Sequence, residues 1–297
     1  MKTAVAFIVF NRPDVTRRVL AAIREARPPA LFVIADGPRL DRRGEAEKCA
    51  EVRAVLASGV DWPCVVKTNY SDVNLGCGRR VATGLDWVFD QVEEAIILED
   101  DCLPDASFFP FCEELLGKYR DDERVAQISG CTYVAQTVRR DSSYLFSRYG
   151  PIWGWATWRR AWRNYDFRLS QWPQIRVSDV WRRAMTRGPE RAMRERAYDD
   201  IRGGRLDTWD YQWGLDKIKH GMVSAISCVN LVENIGFGPD ATHTTRKEAG
   251  LPRGRITFPL IHPALIRDET YDQVYSRHVA PGWLGGKIRR LRRLFGI

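Results

Sequence analysis

Four short β-prone runs, residues 4–10, 31–35, 64–68 and 95–98, recur along the first hundred residues with helical patterns between them. The first is an unbroken apolar run and the fourth is wholly apolar, so both read as strands buried on two faces. Val15, Val19, Leu20 and Ile23 share one helical face, with Asp14 a candidate cap. A charged helix is expected over 43–57, and Val81, Leu85, Val88 and Phe89 mark a third. Strand and helix in alternation predict an α/β fold with a mainly parallel sheet flanked by helices. Such sheets bind ligands at the carboxyl ends of their strands. Those ends are Asn11-Arg12, Asp36-Gly37 and the residues after Leu98.

The fourth run leads straight into Glu99-Asp100-Asp101. Three adjacent carboxylates repel one another unless a cation or a ligand neutralises them. A hard ion such as Mn²⁺ or Mg²⁺ accepts one or two carboxylates and fills its shell with phosphate oxygens. The plainer reading is a charged turn with Asp101 or Asp105 as a helix cap, but the strand-end position favours the site. A glycine-rich phosphate loop after the first strand is absent, because Phe10-Asn11-Arg12-Pro13 stands there. That weakens dinucleotide, P-loop and pyrophosphorylase readings.

Composition narrows the class further. The chain has 297 residues, 44% hydrophobic and 28% charged, as expected of a globular protein. Its longest apolar run is far short of the ~20 residues of a membrane-spanning helix. Asn11-Arg12-Pro13 also breaks any signal-peptide pattern. Seven cysteines without a C-x-x-C pair point to a reduced, cytoplasmic chain rather than a disulfide or zinc framework. The net charge of +8 is concentrated between Arg139 and Arg205, where sixteen arginines face seven acids. Eight of the eleven tryptophans fall between Trp153 and Trp213. Singly, these residues suit solvated helix faces and core. As a cluster they suggest a ligand surface, for nucleic acid or for sugars and phosphorylated carriers.

Taken in order, Asn11-Arg12, Asp36-Gly37 and Ile97-Leu98-Glu99-Asp100-Asp101 resemble a GT-A glycosyltransferase, most nearly the N-acetylglucosaminyltransferase I family and related bacterial glycosyltransferases. Further elements match over roughly residues 3–245. They are Pro104-Asp105-Ala106-Ser107-Phe108-Phe109, Trp153-Gly154-Trp155, the Trp-Asp-x-x-Trp-like Trp209-Asp210-Tyr211-Gln212-Trp213, and Phe237-Gly238 leading to His243. The resemblance implies that Arg12 and Asp36 contact the nucleotide, Asp36 near the base. It implies that Asp100 meets the ribose or donor sugar, that Glu99 meets the donor sugar, and that Asp101 is the one protein ligand of Mn²⁺ (or Mg²⁺). Asp210 is then the catalytic base of an inverting transfer, and His243 sits on a loop near the diphosphate, where Thr244 replaces the family's usual glycine. The donor is a nucleotide-diphosphate sugar, a UDP-sugar first, and the acceptor a glycan or lipid-linked hydroxyl. Asp207 competes as base, and Asp210 also suits a helix cap before Tyr211, Leu215 and Ile218.

The expected organisation is a catalytic domain over 1–245, with a nucleotide-sugar half (1–130) and an acceptor half (131–245), then an extension over 246–297. Within it, 282–297 interleaves apolar residues with five cations, a pattern suited to an anionic membrane surface on the cytoplasmic side. His220 reads as a helix-dipole partner and His262 as a structural histidine, while Cys77 and Cys102 lack a base partner for thiol chemistry. The competing functions are a nucleotidyltransferase on a similar fold and a nucleic-acid binder using the Arg/Trp segment. The carboxylates at ligand-facing strand ends argue against a polyanion partner, so no nucleic acid is expected.

Overall fold

The computed structural model describes residues 1–134, 141–185, 188–236 and 252–280. The N-terminal half runs β1 (Ala4–Val9), α1 (Pro13–Ala26), β2 (Ala30–Ala35), α2 (Glu45–Gly59), β3 (Val65–Tyr70), α3 (Cys77–Phe89), β4 (Glu94–Glu99), β5 (Cys102–Pro104), α4 (Phe108–Lys118) and β6 (Val125–Ser129). Then come β7 (Tyr144–Ser147), β8 (Trp155–Trp158), the short helices α5 (Arg159–Trp162), α6 (Trp172–Arg176) and α7 (Asp179–Ala184), and α8 (Pro189–Arg202). The last elements are α9 (Asp210–Lys219), β9 (Val223–Ser227), β10 (Val232–Asn234) and α10 (Glu269–Val279).

Eight strands form one sheet in the order β3-β2-β1-β4-β8-β6-β9-β7. The first four are parallel, β8 runs antiparallel to both β4 and β6, β9 is parallel to β6, and β7 antiparallel to β9. The α/β expectation therefore holds, with the parallel part confined mainly to the N-terminal strands. Register puts Val9 beside Ala35 and Ile8 beside Glu99. The strand ends carrying Arg12, Asp36 and the acidic triplet are thereby brought to one edge.

Alternate side chains of β1 point to opposite faces. Val5, Phe7 and Val9 join a core with α1, α2 and α4, whereas Ala6 and Ile8 join Val81, Leu85 and Val88 of α3 and four tryptophans. Each fully buried side chain of this size contributes about 1.5–3 kcal/mol relative to exposure. Asp14 does not cap α1. Arg12 is the N-cap, Pro13 opens the helix, and Asp14 is an exposed first-turn residue paired with Arg17.

The tryptophan cluster is also corrected. Trp155, Trp158, Trp162, Trp172, Trp181, Trp209 and Trp213 are all buried, and only Trp153 of the eight is partly exposed. Several of their indole N–H groups find protein acceptors: Trp162 donates to Asp86 at 2.8 Å, Trp172 to Asp199 and Trp181 to Glu195, each at 2.9 Å, whereas the Trp155 N–H is buried without one. Neighbouring arginines are largely engaged too, as Arg159 is with Glu93 and Arg205 with Asp200. The segment is core and ion-paired surface, which removes the stacking platform that a nucleic-acid partner needs.

Residues 252–280 pack onto the body of the chain. Arg267 bridges to Phe146, and Asp272 and Ser276 of α10 accept from Ser147 at 2.5 Å and donate to Glu190 at 2.6 Å, respectively. The basic segment 282–297 lies outside the described residues. No described helix is long and apolar enough to cross a membrane. His262 is structural: it meets the Tyr144 hydroxyl through Nδ1 at 3.0 Å and Glu114 through Nε2 at 3.3 Å. His220 is the C-cap of α9, and burial and then Lys219 push its pKa down.

Lys217, on the inner face of α9, is 1% exposed. Its ammonium donates to Gln127 Oε1 at 2.6 Å and Ser224 Oγ at 2.8 Å, and both partners are neutral. Burial, reinforced by Arg194, pushes its pKa down to about 7 from 10.5. Between those values the folded chain binds fewer protons at this site than the unfolded chain, so the Lys217 contribution to stability rises with pH. Asp216 is raised to about 7 by burial and acts below that window. Lys217→Met is therefore expected to gain on wild type as pH falls from about 10 to 7. Denaturant titrations across that range test this, and a constant difference between the two proteins would refute it.

Candidate active site

One cleft of about 810 Å³ is lined by Arg12, Asp36, Glu99, Asp100, Asp101 and Asp210 together. Six of the seven candidate residues thus share a cavity, although they come from four separated segments. His243 lies outside the described residues.

The acidic turn is held from several sides. Arg12 pairs with Asp100 through Nη2 and with Asp101 Oδ2 through Nη1 at 3.0 Å. Asp100 is buried and also accepts from the Phe10 backbone N–H at 3.3 Å. Asp101 remains partly open to the cleft, its side chain 15% exposed. The Ile235 N–H donates to the Asp101 carbonyl at 2.8 Å, and β10 pairs antiparallel with β5. Gly236 follows so closely that a Cβ there would lie 2.3 Å from Asp101 Oδ2 and 2.5 Å from Arg12 Nη1. Burial raises the pKa of Glu99, helped by Asp101 and Asp100. Burial also raises that of Asp100, against the pull of Arg12. A single guanidinium does not neutralise three carboxylates.

Asp36 serves the loop beside it. Oδ1 accepts from the N–H groups of Gly37 and Leu75, both at 2.9 Å, and Oδ2 from Asn74 Nδ2 at 3.1 Å and Gly76 N at 3.2 Å. Burial raises its pKa while these donors oppose the shift. Asp36 therefore fixes the segment leading into α3, and Asn74, Arg39 and Arg80 stand with it along the cleft wall. Arg80 is buried, with Nη2 donating to Asn69 and Nε lacking a hydrogen-bond partner. In the sequence, a helical pattern concealed Arg80.

The two competing bases both line the cleft but have different partners. Asp207 Oδ1 accepts from the Gly78 N–H at 3.0 Å, tethering the first turn of α3. Asp210 is the first residue of α9, and its Oδ1 accepts from the Thr208 hydroxyl. It is not the N-cap, which is Trp209. The turn is fixed by Tyr165, whose hydroxyl donates to the Trp209 carbonyl at 3.0 Å, and by Gln212 Nε2, which donates to the Thr208 carbonyl at 2.6 Å. Thr208 had no sequence signal. Cys77 feels the negative fields of Glu99, Asp207, Asp210 and Asp101, and burial pushes its thiol far up, as it does that of Cys102. Neither is an activated nucleophile.

Among the described residues, no group of three or more His, Cys, Asp or Glu side chains is arranged to hold a metal alone. Asp101 fits a site with one protein ligand completed by substrate oxygens, because its carboxylate, unlike that of Asp100, is partly open to the cleft.

No protein-family model matches the chain, and no characterised protein matches it significantly in sequence. Solved structures overlap it in part. A mannosyltransferase from Pyrobaculum calidifontis, PcManGT, in complex with GDP-Man and Mn²⁺ is 13% identical, with a TM-score of 0.41 over 74% of this chain and 70% of that one. The galactosyltransferase LgtC, with donor and acceptor sugar analogues, is 13% identical, with a TM-score of 0.36 over 73% and 70%. A UDP-glucose pyrophosphorylase complexed with UDP-glucose is 8% identical, with a TM-score of 0.37 over 76% and 91%.

Proposed function

We propose that the cleft transfers a sugar from a nucleotide-diphosphate donor to an acceptor hydroxyl with inversion. The observation that carries this reading is the meeting of the β4 acidic turn and Asp210 in one cavity. Arg12, which bridges Asp100 and Asp101, is positioned to face the donor's diphosphate. Glu99 and Asp100 bound the donor-sugar and ribose end, and Asp36 shapes the wall against which the base rests. Asp101 would hold Mn²⁺ or Mg²⁺, and the bound ion would supply charge stabilisation to the departing diphosphate.

An acceptor hydroxyl is a poor nucleophile and needs a base within hydrogen-bond reach. Asp210 supplies a carboxylate at a helix start, a position where negative charge is favoured, and Thr208 fixes its rotamer. One base acting opposite the leaving group gives inversion. The Phe10-Asn11-Arg12 segment after β1 favours glycosyl over nucleotidyl transfer, because it offers no glycine-rich loop for a triphosphate.

Incubating the full chain with UDP- and GDP-sugars, Mn²⁺ and a panel of glycoside acceptors tests the reading. The expected products are a nucleoside diphosphate and a glycoside of inverted anomeric configuration by NMR. Release of pyrophosphate from a nucleoside triphosphate and a sugar phosphate would replace it with nucleotidyl transfer. A retained anomer would remove the single-base mechanism.

A further inference from the structure

A second cavity of about 250 Å³ adjoins the cleft, and Ile152, Asp210 and Tyr211 line both. The two differ in charge. The main cleft sets six carboxylates against Arg12, Arg39 and Arg80. The smaller cavity has Arg148, Arg194 and Lys217, and Asp210 is the one acid among the described residues lining it.

Two acids stand behind these cations. Glu190 accepts from Arg194 Nε at 2.8 Å, and Asp272 lies 3.6 Å from Arg148 Nε. Arg148 Nη1 donates to the Ala184 carbonyl. Arg194, whose side chain is only 12% exposed, also meets the Tyr198 hydroxyl, and Nη2 of Arg148 makes no hydrogen bond to described residues. Both guanidinium groups approach the Tyr149 ring, at 5.0 Å and 5.4 Å from its centroid. Lys217 has only neutral partners, and Arg194 adds to the cost of its charge. Close cations without an anion between them lower stability, and a guanidinium that keeps a terminal N–H donor free suits a carboxylate or phosphate. Tyr211, Trp213 and Tyr275 supply apolar walls around the same space.

We propose that this cavity receives an anionic group, a carboxylate or a phosphate, carried by the acceptor next to the hydroxyl that reacts. The proposal rests on the reading of Asp210 as base and narrows the acceptor to an anionic glycoside or sugar phosphate. Methyl β-glucoside, methyl β-glucuronide and glucose 1-phosphate, titrated by calorimetry into the full chain without divalent metal, test it. At least one anionic sugar should bind about tenfold or more tighter than the neutral glucoside, as charge-assisted hydrogen bonds allow. Arg194→Gln and Arg148→Gln should each erase that preference and leave glucoside affinity unchanged. Lys217→Met, which keeps the Glu190 and Asp272 pairs, should weaken it if either arginine variant fails to fold. Preference for the glucuronide alone identifies a uronate-type acceptor, and preference for the phosphate alone a phosphate-linked one. Equal binding of all three sugars overturns the proposal. So does a preference that survives these substitutions and falls with Arg12→Gln, which would put the anion in the main cleft. These titrations need no turnover, so the anion site and the transfer reaction fail independently.

Discussion

Asp210→Asn is expected to lower turnover by about 10²–10⁴-fold, the contribution typical of a positioned general base. The substitution keeps the oxygen that accepts from Thr208, so the α9 start should hold its shape. Donor affinity should be nearly unchanged, because nucleotide and metal are assigned to the Asp101 side of the cleft. Asp207→Asn is the paired control. Its amide oxygen still accepts from the Gly78 N–H, so the α3 tether survives and activity should fall only slightly. Steady-state kinetics with donor titration separate the two variants. Asp210→Asn turnover within a few-fold of wild type would move the base elsewhere.

Asp101→Ala should abolish the metal-dependent part of nucleoside-diphosphate binding. Losing a residue that merely orients a metal ligand costs about 10–100-fold in metal affinity, so losing the single protein ligand should cost at least as much. Arg12 keeps its pair with Asp100, which should preserve the turn itself. Calorimetry with UDP or GDP, with and without Mn²⁺, measures the effect. Undiminished metal enhancement in the variant would transfer the ligand role to another residue.

The N-terminal half was legible because its strands are buried on both faces. Runs such as Ala95-Ile96-Ile97-Leu98 leave few alternatives, and β1, β2 and β4 begin and end within a residue of the expected bounds. The third helix emerged from periodicity for a similar reason: Val81, Leu85 and Val88 are buried together. The chain after residue 130 was harder to read because composition does not report burial. An indole exposed to a sugar and a buried one donating to a carboxylate look alike in sequence. Trp172 with Asp199 and Trp181 with Glu195 are the second kind. Asp207 differs from Asp210, three residues on, through its tether to Gly78, a partner far along the chain. The same holds for Asp36: its acidic strand-end position was visible, but its grip on Leu75 and Gly76 was not.

Asp210 belongs to α9, which Trp213 and Leu215 lock into buried clusters. Arg148 follows β7, and Arg194 belongs to α8. The proposed base and two of the groups proposed to choose its acceptor thus lie on separate stretches of chain. On that proposal, changes in α8 and in the turn after β7 would alter the range of acceptors while the carboxylate keeps its seat on an undisturbed helix.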